Sequence, residues 1–202
     1  MKIIKVEPKG FGSNAYILTA DGKTAVVIDP AESSVITELA SRNLECKYVL
    51  LTHGHFDHVG GCRALAEYGA HIICGEEEAP LIFSKDYLGI FGGVNVPRFE
   101  VSRTLKDGEE FSLCGIEFAA ILTKGHTKGS MCFLAEDNLF TGDTLFKLSV
   151  GRCDLPTGSI TELKGSLKKL SSLVGDYKIY CGHGSDTTLS FEKKYNSYLS
   201  ED

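Results

Sequence analysis

Four apolar segments of this chain each end at a short loop that contains glycine together with histidine or aspartate. YVLL runs into THGHFDH, FAAIL into TKGHTKGS, NLF into TGDTLF, and YKIY into CGHG. Short apolar runs of this kind are typical of buried strands. If the strands lie side by side, their loops converge on one edge of a sheet, which is where α/β architectures place ligands. The pattern therefore predicts one functional site built from distant parts of the chain.

The side chains of these loops are those that bind transition metals. They include five of the six histidines and two aspartates, which are His53, His55, Asp57, His58, His126, Asp143 and His183. Neutral imidazole and carboxylate suit zinc, iron or manganese, and seven such groups exceed what one tetrahedral ion needs. Two divalent ions fit this count better than one.

Four of the seven candidates lie within HGHFDH. In extended backbone, side chains two residues apart point to the same side, so His53, His55 and Asp57 are expected to share a face. His58, where the chain turns into the next helix, is expected to present its ring from another direction. This loop is thus predicted to serve both ions.

The remaining pattern predicts a β-rich chain with about four helices in a single domain over residues 1–202, a length that can bury most of its apolar surface. Asp21-Gly22 predicts a hairpin within residues 14–29, and residues 136–138 predict a second one. Leucines at helical spacing predict a helix over residues 159–173, with Ser159 as its cap. Residues 76–104 predict short helices and an irregular loop bordering a binding site.

Composition limits the partners. The 27 acidic and 21 basic residues are spread without a basic run, so no nucleic-acid partner is expected. No apolar stretch approaches the roughly 20 residues that span a bilayer, and the first apolar segment is too brief for a signal peptide. Seven scattered cysteines without a C-x-x-C pair favour buried free thiols in a reducing compartment. We expect a cytoplasmic protein without a membrane partner, and the oligomeric state stays open.

The motifs THGHFDHVGG, GHTKGS, TGDTLF and CGHG, in this order, resemble those of the metallo-β-lactamase fold hydrolases. The resemblance is strongest to the glyoxalase II (hydroxyacylglutathione hydrolase) branch and its short bacterial relatives, and it covers nearly the whole chain. It implies an α+β fold, a four-layer αββα sandwich with two sheets face to face, and a dinuclear metal site at one edge.

The same resemblance implies how the ligands are divided. It assigns His53, His55 and His126 to the first ion, and Asp57, His58 and His183 to the second. Asp143 would bind both ions. Asp29 matches an early aspartate of the family that orients a histidine loop, and a turn or helix-capping role fits it equally well. His71 is expected to be an ordinary structural histidine.

The implied activity is hydrolysis of a small acyl thioester, such as S-lactoylglutathione or a related hydroxyacyl thioester, by hydroxide formed on two divalent ions. Zn²⁺ is the expected metal, with iron or manganese as alternatives. Asp57 is the catalytic candidate, since it can orient the hydroxide or carry a proton. Lys147 and Arg152 are candidates for contact with the substrate, although a solvated lysine and an ion pair between Arg152 and Asp154 are the simpler interpretations.

Several alternatives stay open. Full-length glyoxalase II enzymes carry a C-terminal helical extension that helps hold glutathione, whereas the residues after His183 suffice for one helix, so another small acyl thioester or an ester is also possible. An iron-dependent persulfide dioxygenase shares this ligand set. A metal-binding module without activity is the alternative outside enzymes. A nuclease-type phosphodiesterase and a secreted β-lactamase are disfavoured by the lack of a basic surface and by Asp143, respectively.

Overall fold

Two stacked β-sheets form the centre of the computed structural model, which describes residues 1–8, 10, 12–89 and 96–200. The first sheet has its strands in chain order, namely β1 (Lys2–Val6), β2 (Ala15–Thr19), β3 (Thr24–Ile28), β4 (Glu45–Leu51), β5 (His71–Gly75) and β6 (Arg103–Leu105). The strands of the second sheet are β7 (Glu110–Leu113), β8 (Ile116–Leu122), β9 (Met131–Ala135), β10 (Asn138–Gly142), β13 (Lys178–Cys181) and β14 (Thr187–Thr188). A separate ribbon consists of β11 (Leu145–Phe146) and β12 (Ser149–Val150).

Strand directions decide where the loops meet. In the first sheet β1, β2 and β3 are antiparallel, and β3 to β6 are parallel. The spatial order of the second sheet is β14, β13, β10, β9, β8, β7. In this sheet β9 is antiparallel to both β8 and β10, and β13 is parallel to β10. The strands β8, β10 and β13 therefore run in one direction and end at the same edge.

Helices cover the outer faces of both sheets. The helices in chain order are α1 (Ser34–Ser41), α2 (Phe56–Val59), α3 (Cys62–Glu67), α4 (Lys85–Gly89), α5 (Ile160–Ser171), α6 (Leu189–Tyr195) and α7 (Ser197–Ser200). Val35 of α1 and Leu65 of α3 pack on the first sheet, and Leu163 and Leu167 of α5 pack on the second. Each outer layer thus has its own apolar core.

A third apolar core lies between the two sheets, and it is formed because successive side chains along a strand point to opposite faces. In β2, Tyr16 and Leu18 face the second sheet, whereas Ile17 faces the helices. Phe133 and Phe140 meet them from the second sheet and are almost completely buried. Because successive strand residues point to opposite faces, one strand serves two cores. These layers confirm the predicted αββα sandwich.

Local sequence signals predicted several elements correctly. The side chain of Asp21 accepts hydrogen bonds from the backbone N–H groups of Lys23 and Thr24 in the first hairpin, and Gly22 has a φ of 68°. Ser159 caps α5 by accepting a hydrogen bond from the backbone of Glu162 at 3.3 Å. The second predicted hairpin is formed by β9 and β10.

Other predictions were incomplete. The described residues contain seven helices rather than about four, since α2, α4 and α7 span four or five residues and are too short to show apolar periodicity. Within residues 76–104, turns and α4 agree with the predicted short helices, but β6 joins the first sheet where an irregular loop was expected. The part of that segment at 90–95 lies outside the described residues.

The cysteines are free, as predicted. Cys46, Cys62, Cys74, Cys132 and Cys181 are buried, and Cys114 and Cys153 are half-buried. Burial raises the pKa of the Cys46 thiol to about 12, which keeps it protonated and unreactive at neutral pH. In the described part of the chain, no helix has the length and apolar character needed to cross a membrane.

Candidate metal centre

The four predicted loops do converge, but not along one sheet. β4 belongs to the first sheet and β8, β10 and β13 belong to the second, so the expectation that these strands lie side by side is wrong. The loops meet because the two sheets are joined at this edge. The N–H of Met131 donates to the carbonyl of Thr52 at 2.8 Å, and the N–H of Asn14 donates to the carbonyl of Gly182 at 2.7 Å. The site therefore lies where the edges of the two sheets touch.

All seven predicted ligands come together at this place. Among the described residues, three groups have ligand atoms within 4.8 Å of one another, namely His53, His55 and His126, then His53, His58 and Asp143, then Asp57, His58 and His183. Four of the seven come from loops that directly follow β4, β8 and β13, Asp57 and His58 stand on α2 just after the first of these loops, and Asp143 directly follows β10. We call the first group the histidine cluster and the third group the mixed cluster.

The histidine cluster has three ring nitrogens around one point. Nε2 of His126 lies 3.2 Å from Nε2 of His53 and 2.9 Å from Nδ1 of His55. Ligand nitrogens of a tetrahedral zinc ion lie about 3.3 Å apart, given bonds of about 2.0 Å. Nδ1 of His126 lies 2.7 Å from the carbonyl oxygen of Arg152. Because a carbonyl only accepts, Nδ1 carries the proton and Nε2 presents a lone pair to the cluster.

In the mixed cluster, Nε2 of His183 lies 3.3 Å from the carboxylate of Asp57 and 3.4 Å from that of Asp143. The other oxygen of Asp143 lies 3.3 Å from Nε2 of His58. Asp143 also reaches the histidine cluster, since its Oδ2 is 3.6 Å from Nε2 of His126. This position between the two clusters is the one that a bridging carboxylate needs.

Asp57 does not share a face with His53 and His55, in contrast to the expectation from extended backbone. His55 is the last residue with extended backbone, and α2 begins at Phe56. The helical turn directs Asp57 toward His183 instead. One loop thereby supplies both clusters.

Asp29 lies directly behind the histidines. Its carboxylate accepts hydrogen bonds from the backbone N–H of Thr52 at 2.8 Å and from the Thr52 hydroxyl at 2.6 Å, and it lies 2.9 Å from Nδ1 of His58. The Thr52 hydroxyl is in turn 3.1 Å from Nδ1 of His53. These contacts place the protons of both rings on Nδ1, which leaves Nε2 of each ring to face the cluster.

Burial and charge give the two clusters different protonation states. Burial lowers the pKa of all three rings in the histidine cluster, that of His55 to about 3, and repulsion from neighbouring histidines, including His58, adds to the effect, so these rings are neutral. Hydrogen bonds to Asp143 and Asp57 raise the pKa of His183 to about 9. Burial opposes protonation of His58, but Asp143, Asp29 and Asp57 outweigh it and raise its pKa. The mixed cluster therefore holds protons at neutral pH.

The orphaned atoms of the site fit divalent cations. Nε2 of His58 and Oδ1 of Asp143 are buried and make no hydrogen bond, although polar atoms in a protein interior are normally paired. A cation between them would satisfy both. The donor set of imidazole nitrogens and carboxylate oxygens suits zinc, iron and manganese. The residues present thus fit a dinuclear metal site.

Beside the clusters is a cavity of about 330 Å³, which is partly lined by Phe146, Arg152 and Leu155. The guanidinium of Arg152 pairs with Asp154 at 2.7 and 2.8 Å on the surface, as the simpler interpretation had it, while its carbonyl holds His126. Lys147 is exposed and lines a different cavity, with Phe191. The exposed His71 lies at the start of β5, outside the three groups of ligand atoms.

Three comparisons with known proteins agree on the family. The model of the metallo-β-lactamase superfamily matches residues 8–183. The chain is 34% identical to the hydroxyacylglutathione hydrolase GloC of Haemophilus influenzae, with 99% of each chain covered. The crystal structure of the BLEG-1 B3 metallo-β-lactamase is similar with a TM-score of 0.92 and 28% identity, covering 99% of this chain and 100% of that one. A di-iron-bound form of TTHA1623 is similar with a TM-score of 0.85 and 32% identity, over 97% and 100%.

We predict that Asp29→Asn weakens Zn²⁺ binding by about 10- to 100-fold at the site of His58, and also weakens it at the site of His53, which Asp29 orients through Thr52. The amide nitrogen would donate toward Nδ1 of His58 and shift the ring proton to Nε2, the atom that faces the cluster. Competition with a chromophoric chelator measures the two affinities for Zn²⁺. Asp21→Asn removes a carboxylate with similar backbone contacts from the exposed hairpin and should leave both affinities unchanged. Equal Zn²⁺ binding by wild type and Asp29→Asn would contradict the orienting role.

We further predict that Zn²⁺ binding to the metal-free protein releases protons at pH 7, and that the share of His183 in this release disappears above about pH 9. His183 is protonated below its raised pKa and has to lose that proton to bind metal. The same shift stabilises the metal-free fold below the ordinary pKa of histidine, and this contribution is lost as the pH rises through about 9. Titration calorimetry in buffers of different ionisation enthalpy counts the protons. His183→Ala should release fewer, and an unchanged count would refute the assignment.

Proposed function

Since the chain belongs to the metallo-β-lactamase superfamily, we propose that this metal-dependent hydrolase acts on a small acyl thioester, such as S-lactoylglutathione or a related hydroxyacyl thioester. The observation that carries the proposal is the similarity to a hydroxyacylglutathione hydrolase over the whole of both chains, together with seven candidate ligands gathered where the edges of the two sheets meet. The free thiols of the chain suit a reducing compartment, and we place the protein in the cytoplasm.

We propose two Zn²⁺ ions with a division of ligands that follows the two clusters. His53, His55 and His126 would hold the first ion, and Asp57, His58 and His183 the second, with Asp143 shared between them. Three neutral imidazoles form a typical zinc site. Asp143 is supported as the shared ligand by its distances of 3.4 Å to His183 and 3.6 Å to His126.

When bound, two divalent ions would lower the pKa of a water to about 7 and polarise the acyl carbonyl. The chain itself supplies a proton acceptor beside them. Asp57 lines the cavity, and although burial raises its pKa, His58 and His183 hold that pKa below the ordinary value, so the carboxylate is ionised at neutral pH. In this position it would accept the proton of the attacking water and pass it to the leaving thiolate.

The cavity lining supports a short acyl group on the substrate. Phe146 and Leu155 offer apolar surface next to His183, and the ring of Phe146 lies 5.9 Å from that of His183. Arg152 also lines the cavity, and its exposed guanidinium, which would have to leave Asp154, is proposed to bind a carboxylate on the thiol part of the substrate. Lys147, which lies outside this cavity, is proposed only for a longer thiol portion such as glutathione.

A second candidate is an iron-dependent persulfide dioxygenase on the same fold. The observation that favours it is the solved relative TTHA1623, which binds two irons. Imidazole and carboxylate suit iron as well as zinc, so the ligand set is compatible with both activities. The two proposals differ in their consumption of oxygen.

The deciding experiment is a metal count followed by a substrate panel. The purified protein is analysed for zinc, iron and manganese, and is then assayed with thioesters that include S-lactoylglutathione, with esters and lactones, and for oxygen uptake with a persulfide. The thioesterase proposal expects two ions per chain and release of free thiol. Stoichiometric iron with persulfide-dependent oxygen uptake would replace it by the dioxygenase. Two bound ions without any turnover would indicate a metal-binding module.

Asp143→Ala should lower the metal content to one ion or none and abolish hydrolysis, since the carboxylate reaches both clusters. The expected loss in kcat is at least about 100-fold. Asp154→Ala is the matched control. The carboxylate of Asp154 is exposed, and among the described residues its side-chain hydrogen bonds are those with the guanidinium of Arg152. Full metal occupancy with retained activity in Asp143→Ala would contradict the shared position.

A further inference from the structure

Glu78 is a completely buried carboxylate outside the proposed ligand set. It follows β5 in the chain and is 0% exposed. Its Oε1 accepts hydrogen bonds from the backbone N–H of Gly54 at 2.7 Å and from the hydroxyl of Tyr87 at 2.7 Å. Its Oε2 accepts a hydrogen bond from the hydroxyl of Thr127 at 2.8 Å. Burying an ionised group is costly, so a role beyond filling space is expected for it.

Every one of these donors is next to a histidine of the histidine cluster. Gly54 stands between His53 and His55, and Thr127 directly follows His126. The ring of Tyr87 packs on the ring of His55 with centroids 4.8 Å apart. A single carboxylate thus contacts the neighbours of all three rings, although Gly54 and Thr127 lie 24 and 49 residues away from it in the sequence.

The two histidine loops pack tightly around Glu78. A Cβ at Gly54 would lie 2.6 Å from the side chain of Ile82, and a Cβ at Gly129 would lie 2.3 Å from the backbone nitrogen of Glu78. Both distances are too short for any side chain. The loops therefore approach the Glu78 segment closely, and their positions relative to each other depend on it.

We propose that Glu78 is a positioning residue, which fixes the spacing of His53, His55 and His126 so that the first ion meets a preformed set of three nitrogens. This inference rests on the proposed dinuclear centre. The mechanism is geometric. Hydrogen bonds to Gly54 and Thr127 set the separation of the two loops, and Tyr87 restricts the rotation of the His55 ring. Groups behind metal ligands act on affinity in this way, because a preorganised site spends less free energy on ordering its ligands.

The test is Glu78→Gln in the full chain. One carboxylate oxygen becomes an amide nitrogen, which only donates, so either the bond from the N–H of Gly54 is lost or the hydroxyl of Thr127 has to turn round and accept, and in both cases the charge-assisted anchor of the two loops is weakened. We expect the first Zn²⁺ to bind about 10- to 100-fold more weakly and the second to keep its affinity. Chelator competition gives both affinities, and cadmium NMR, in which each ion has its own resonance, identifies the affected site. Equal weakening at both sites, or no weakening, would overturn the proposal.

Two further variants separate positioning from stability. Glu192→Gln removes another wholly buried carboxylate, which accepts hydrogen bonds from Thr187, Leu148 and Asn196. It should lower the melting temperature and leave the affinity for the first ion unchanged. Tyr87→Phe keeps the ring on His55 and removes only the hydroxyl that donates to Glu78, and a severalfold weakening at the first site is expected.

If Glu78→Gln does not fold, Tyr87→Phe decides the matter, and an unchanged first-site affinity in that variant would refute the positioning role. A wild-type protein that binds no Zn²⁺ at all would instead count against the proposed function. The two failures are thus distinguishable.

Discussion

The carboxylate of Asp29 is the contact on which the site depends, because it joins the first sheet to two histidines of different clusters. It stands directly after β3, in a backbone conformation with a φ of 49° that asparagine and aspartate tolerate better than other side chains. Through Thr52 it orients His53, and directly it orients His58. The ring nitrogen that each histidine presents is thereby decided by a buried acid just after the end of a neighbouring strand.

The same edge explains why the clusters differ in charge. On one side, three imidazoles are buried together and remain neutral, since a proton on any of them would be desolvated and repelled. On the other side, two carboxylates attract protons to His58 and His183. A cation that enters the first cluster meets lone pairs that are already free, whereas one that enters the second has to displace protons. Metal binding near neutral pH therefore depends on pH at the second site and not at the first.

Local signals carried most of the prediction from sequence. The Asp21-Gly22 turn and the Ser159 cap are decided by residues a few positions apart, and the seven candidate ligands stood out because histidine and aspartate followed apolar strands. What the sequence could not show depends on distant contacts. The assignment of β4 to the first sheet, the turn that carries Asp57 away from His55, and the reach of Glu78 to Thr127 arise only in the packed fold. The carbonyl of Arg152 has no sequence signal at all, since every residue has one.

The cavity beside the metal centre is lined in part by elements that supply no ligand. Phe146 lies on the β11–β12 ribbon, which Asn196 holds through the carbonyls of Phe146 and Ser149 at 3.4 and 3.1 Å. Leu155 lies in the segment after that ribbon. Neither segment is a strand of the two main sheets, but the second one is tied to the site, because the carbonyl of Arg152 accepts a hydrogen bond from Nδ1 of His126. The chain is similar over its whole length both to a hydroxyacylglutathione hydrolase and to a B3 metallo-β-lactamase, so the fold alone does not fix the substrate, and the side chains that line the cavity have to do so.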